Sequence, residues 1–296
     1  MTRFSVIVPI RSAEDFLDEC LWSVRRQAGA DLEIIAVDDN SSDACGAIVD
    51  RHAREDGRVT AVHLARTHGT GPARNAGIAL ARGEYLLFLD ADDTYRGADV
   101  LAGLDADLAA AGDPDVLLFD YEERRPCGMA RRIGMDHGTV PDEPRTVSAA
   151  GHPGVLRASW VCWNKACRRD FVAAAGLWFP PGYYEDFAWS IPAVLAAGRI
   201  AVSRRVGVRY RRCRATSISG AVSPRHLEVF DQFERILAFL AAHPEHDTAQ
   251  VRNVLAAGMR TFLRGRTDRL RVVPAALVDE FRRRSAEVAD RMGRQA

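Results

Sequence analysis

A Rossmann-like α/β fold, with a doubly wound, mostly parallel sheet and a C-terminal α-helical extension, is what this sequence predicts. Three observations carry that expectation. Short β-branched runs alternate with helical patterns over the first third of the chain, acidic clusters follow two of those runs, and the last quarter keeps helical spacing alone. The first run, FSVIVPI (Phe4 to Ile10), closes on a proline and leads into a helical pattern through Phe16, Leu17, Leu21 and Val24. LEIIAV (Leu32 to Val37) repeats the design and stops at Asp38-Asp39-Asn40-Ser41-Ser42-Asp43, a turn that can also cap the next helix. Val59 to Leu64 reads as a third strand and Gly71 to Ala81 as a helix. The fourth strand, Tyr85 to Asp90, is apolar at five of six positions, which suits a central strand covered on both faces.

Beyond Val116 to Phe119 the pattern loosens, and Arg124 to Pro144 reads as a long connection rich in Gly, Pro and charge. From Pro224, periodic segments at 225–241, 248–264 and 274–292 predict helices separated at Pro244 and Pro274, which places a boundary near 215–223.

The composition narrows the classes of function. Lys+Arg and Asp+Glu both number 40, so zero net charge gives no general attraction to nucleic acid. The N-terminal apolar run is too short for a secretory signal, and no stretch approaches the roughly 18 apolar residues of a membrane span. The six cysteines (Cys20, Cys45, Cys127, Cys162, Cys167, Cys213) lack CxxC spacing and suit reduced thiols. A cytoplasmic protein, with peripheral contact at the inner membrane face as the variant, is expected. Lys165 is the sole lysine in a chain that otherwise writes arginine, which suggests a point charge set against a phosphate or a carboxylate.

Three acids within four residues, Asp90, Asp92 and Asp93, close the fourth strand. As a turn they need no ligand, since Asp93 could cap a helix starting near Tyr95. As a cluster they repel unless a cation joins them, and a hard divalent ion is the simplest one. Glu185-Asp186 has a similar double reading, because acids in a first helical turn also favour the helix dipole. The arginines from Arg204 to Arg214 read as the solvated face of an edge strand, or as a segment with Ser217 that closes over a diphosphate. His63, His68, His137 and His226 show no ligand spacing.

FSVIVPI, VDDNSSD, GPARNAG, GEYLLFLDADD, WNK and YYEDFAW, in this order, resemble a family 2 glycosyltransferase of the GT-A fold over roughly residues 3–220. The resemblance implies a catalytic domain at 1–220, with a donor half to about 95 and an acceptor half from about 96, followed by a helical extension at 221–296. Pro9 and Asp39 would then border the nucleobase and ribose of a nucleotide-sugar donor, with Asp39 accepting the imide hydrogen of uracil. Arg74, Asp90 and Lys165 would contact the donor, and Asp92 would hold Mn2+ or Mg2+ against its diphosphate. Asp186 would be the base that takes the acceptor hydroxyl's proton in an inverting transfer, with Glu185, Trp163 and Tyr184 as supporting or acceptor-side residues. The acceptor would be a glycan, a polyol phosphate, a lipid carrier or a small molecule. Trp178, Tyr183, Tyr184 and Trp189 could stack on a sugar or belong to the core.

Two rival readings compete with this one. A nucleotidyltransferase would carry a Gly-rich basic loop after the first strand, where this chain has Pro9-Ile10-Arg11-Ser12. A binding or assembly module without turnover would not need both acidic motifs intact. The tail's apolar stripes are expected to pack on protein, helping to form a homodimer, with weak membrane contact through its arginines as the alternative.

Overall fold

The computed structural model describes residues 2–125, 128–134, 146–158, 160–212 and 220–293. Cys127, His137, Cys213, Arg214 and Ser217, singled out above, lie outside the described residues.

The predicted alternation is observed. β1 (Phe4–Ile10), β2 (Leu32–Asp38), β3 (Val59–His63) and β4 (Tyr85–Phe88) are linked by α1 (Glu14–Arg25), α2 (Cys45–Glu55) and α3 (Thr70–Leu80). They run parallel in the order β3-β2-β1-β4. Every residue of β1, β2 and β4 is buried, which is why their sequences are largely apolar without alternation, with Ser5 and Glu33 bonded to each other across β1 and β2.

The second half of the sheet is mixed. β5 (Thr94–Tyr95) and α4 (Val100–Ala110) are followed by β6 (Val116–Arg124), β7 (Ala130–Ile133), β8 (Lys165–Arg168), α5 (Arg169–Ala174), α6 (Glu185–Ala196) and β9 (Ile200–Arg211). β8 lies antiparallel between β4 and β6, β9 runs parallel to β6, and β5 closes the far edge. The arginine-rich segment is therefore not an edge strand, because β9 is bonded to β6 along its length and to β5 near its end. Asp93 caps no helix either, since the chain passes from it directly into β5.

The tail forms α7 (Val229–Ala242), α8 (Ala249–Arg264) and α9 (Val278–Gly293), close to the predicted spans. Its apolar stripe meets the rest of the same chain. Phe233 of α7 packs edge-on to Trp160 and against Phe187 of α6, and Phe262 of α8 meets Phe187 and Tyr184. These residues of the stripe, for which a homodimer was one expected cover, are covered within the chain. No helix among the described residues is long and apolar enough to cross a membrane. Cys20, Cys45, Cys162 and Cys167 are buried free thiols.

Candidate active site

The parallel strands β1, β2 and β4 all end on one side of the sheet, and their carboxyl ends carry Pro9, Asp39 and the Asp90 turn. Asp39 is only 2% exposed. Its two oxygens accept the backbone NH groups of His68 and Gly69 at 2.7 and 2.8 Å, so it organises the loop that enters α3. Pro9 is likewise buried within β1.

GPARNAG owes its residue types to packing between α3 and the segment before α6. A Cβ on Gly71 would come within 2.3 Å of the Pro180 carbonyl oxygen, and one on Gly77 within 2.4 Å of Ile7. Asn75 gives and receives hydrogen bonds with the Phe179 backbone at 2.8 and 2.9 Å. Arg74, almost wholly buried, donates to Glu185 at 2.6 Å and to Asp90 at 2.7 Å, with its guanidinium over the Phe179 ring. One cation therefore joins the two acidic motifs. The family resemblance places Arg74 on the donor, whereas the structure gives its two terminal nitrogens to protein carboxylates.

A single guanidinium cannot balance the acids around it. Burial pushes the Asp186 carboxyl up to about 8, with Glu185 and Asp90 adding to the rise and Arg74 opposing it. Asp186 is half-buried, and water on its open side works against that rise. Burial also raises Glu185 in spite of its ion pair. Asp93 is held well above the ordinary carboxylate range by burial and by the charges of Asp92 and Asp90. Its Oδ1 accepts the Arg211 backbone NH at 2.7 Å, and its buried Oδ2 has no hydrogen-bond partner among the described residues. Arg211 also donates to the Asp92 carbonyl oxygen at 3.0 Å and to Glu19 at 2.7 Å, tying the end of β9 to the acidic turn. Excess negative charge in a part-buried site, supplied by hard oxygens, fits a divalent cation. Among the described residues no three His, Cys, Asp or Glu side chains close into a protein-only metal cage.

Three expected contacts move inward. Lys165 is 0% exposed, with its ammonium bonded to the Val161 carbonyl oxygen and the Asn164 side chain, and burial pushes it down to about 8. A group so enclosed does not meet a donor phosphate in this conformation, although Asp186 is among the charges it feels. Trp163 is 4% exposed, stacked on Tyr210 and edge-on to Tyr121, which makes it a core wedge. Tyr184 adopts a left-handed backbone conformation, packs against Phe187 and Phe262, and shares a 2.5 Å hydrogen bond with His226. Trp189 is buried against Phe88 and Phe179, whereas Trp178 is 57% exposed. The residues that bring open carboxylate surface to one place are Asp90, Asp92 and Asp186. Asn75, Arg211 and His226 hold this arrangement, and sequence reasoning did not assign them to it. Asn75 stood in the quoted motif, and that was the signal available.

Residues 5–109 match the family model "Glycosyl transferase family 2". An uncharacterized glycosyltransferase, EpsJ of Bacillus subtilis, is 30% identical over 207 residues, covering 66% of this chain and 57% of its own length. The poly(ribitol-phosphate) beta-glucosyltransferase of Bacillus spizizenii is 29% identical over 208 residues, covering 68% of this chain and 31% of its own. The chain thus spans 57% and 31% of the length of these two relatives. In structure it is similar to S. aureus TarS 1-349 in complex with UDP-GlcNAc, with a TM-score of 0.71 at 21% identity, covering 99% of this chain and 90% of that one. This last likeness concerns the fold.

Proposed function

We propose that this chain, a family 2 glycosyltransferase of the GT-A fold, moves a sugar from a UDP-sugar to a hydroxyl acceptor with inversion at the transferred carbon. The observation that carries the reading is Arg74, which gathers Asp90 and the Glu185-Asp186 pair at one end of the sheet while Asp90, Asp92 and Asp186 keep open surface. Asp186 takes the proton of the acceptor hydroxyl as that oxygen bonds to the donor carbon and the bond to the diphosphate breaks. A base so placed contributes about 10²- to 10⁴-fold. Asp92, with Asp90 beside it, would hold Mn2+ or Mg2+. The ion, when bound, supplies charge stabilisation for the departing diphosphate. The acceptor class is a cell-surface polysaccharide, a polyol phosphate or a related glycoconjugate, which the named activity of the Bacillus spizizenii relative supports.

A hydrolysis screen of nucleotide sugars with and without Mn2+, run beside Asp92→Asn, tests the reading. UDP-sugars are expected to be hydrolysed in a Mn2+-dependent way, and the variant is expected to lose hydrolysis and Mn2+-dependent UDP binding while remaining folded. Full activity of the variant, or of the natural chain in excess EDTA, removes the metal from the mechanism.

A further inference from the structure

The arginines crowding the end of the tail are not equivalent. Arg282, Arg283 and Arg284 are ion-paired, with Asp268, Glu287 and Asp231 respectively. Arg260, Arg264 and Arg269 form no ion pair with any described residue, and they converge on one surface hollow of about 450 Å³ at the end of α8. Ala257, Thr261, Gly265 and Asp268 complete its lining, Asp268 being the carboxylate that Arg282 already engages. In a chain with no net charge, three uncompensated guanidiniums at one hollow make a local anion-binding surface.

Apolar side chains stand beside it. Val222 is 66% exposed and Leu270 47% exposed, two of six large apolar side chains in the open among the described residues. Backbone bonds fix both at the same corner: Leu270 NH to the Gly265 carbonyl oxygen at 2.9 Å, Val272 NH to that of Arg266 at 3.1 Å, and Ser223 NH to that of Val272 at 3.0 Å. Arg271, which also forms no ion pair with any described residue, follows Leu270.

We propose that this corner seats the protein on an anionic phospholipid surface, the three guanidiniums on headgroup phosphates and Val222 and Leu270 in the interface. A soluble phosphate polymer would satisfy the arginines and leave the two apolar side chains without a partner, so a lipid surface matches both halves of the patch. The corner adjoins the candidate active site, because Phe262 and Arg266 of the same segment cover the Tyr184 ring. Docking here holds the Asp186 face close to the membrane.

The full chain is pelleted with vesicles of phosphatidylglycerol and phosphatidylcholine, and with phosphatidylcholine alone, at low and physiological salt. Binding is expected for the anionic vesicles alone. Arg260→Gln, Arg264→Gln and Arg269→Gln combined are expected to weaken it roughly tenfold or more. Leu270→Ser with Val222→Ser weakens it at a salt concentration where the arginines alone no longer suffice. The triple change Arg51→Gln, Arg58→Gln and Arg283→Gln removes equal charge from ion-paired positions and is expected to leave pelleting intact, with thermal melts confirming that all variants fold. Three results overturn the proposal: no pelleting with anionic vesicles, equal loss in the control triple, or binding of inorganic polyphosphate without vesicle binding, which assigns the hollow to a soluble polyanion.

Discussion

Asp186 sits where charge balance and chemistry meet. Its carboxyl is raised by burial and by Glu185, so it holds a proton more tightly folded than unfolded. The stability this contributes is complete below the unfolded value of about 4 and is lost as pH rises toward about 8. Asp186→Asn removes the titration. Without ligands, the variant's melting temperature is therefore expected to gain on the natural chain as pH goes from about 4.5 to 8.5, by on the order of 1 to 3 kcal/mol in stability. Turnover is expected to fall about 10²-fold or more with UDP affinity nearly unchanged, and the natural chain's rate is expected to rise with pH through the same range, since only the ionised form accepts a proton. UDP binding that falls in parallel with turnover makes Asp186 a donor ligand instead. The acids of this site were legible in the sequence because each motif is local. Arg74 was legible as a member of its motif but not as a bridge, because Glu185 lies 111 positions away and no sequence pattern records that pairing. Lys165 differs, because its rarity pointed to a charge set against a phosphate or a carboxylate, and its ammonium is enclosed against the Val161 carbonyl oxygen and the Asn164 side chain.

Among the elements, α3 does the most to position chemistry. Its first turn meets the 179–185 segment so closely that Gly71 has no room for a side chain, and the obstacle is a backbone carbonyl, which cannot swing aside. Gly71→Ala is expected to push that segment away, loosen the Arg74 bridge and cut transfer at least tenfold, with a modest fall in melting temperature. Activity equal to that of the natural chain disproves the close fit. The parallel strands were readable because they are buried runs between helices. β8 and β9 were not, for different reasons. β8 is four residues long and inserts antiparallel, and β9 carries four arginines that hide its pairing with β6 behind the composition of a solvated face. Arg209 of the strand and Arg212 just beyond it are spent on Glu122 and Glu123 of β6.

At the scale of the whole molecule, the helical tail decides whether the first 220 residues stand alone. Its helices were predictable from periodicity, but their partner was not, since an amphipathic stripe does not say which surface covers it. The partner in part is α6 and the turn before β8: Trp160, Tyr184 and Phe187 meet Phe233 and Phe262, and a Cβ on Gly258 would lie 2.6 Å from the Trp160 ring. His226, fully buried, bonds the Tyr184 hydroxyl on one side and the Ala221 carbonyl oxygen on the other. α6 begins with Glu185 and Asp186, so the contact that buries the tail also fixes the helix that carries the proposed base. Each large aromatic side chain uncovered costs about 1.5 to 3 kcal/mol, and several would be uncovered together. A chain ending at Gly220 is therefore expected to aggregate or to lose cooperative melting. In sedimentation the full chain is expected to run as a monomer, because the stripe proposed for a dimer is already covered. A truncated chain that stays soluble, melts as the full chain does and still hydrolyses UDP-sugars disproves this coupling, and it would mean that β1 to β9 hold Asp186 in place without the helices packed behind it.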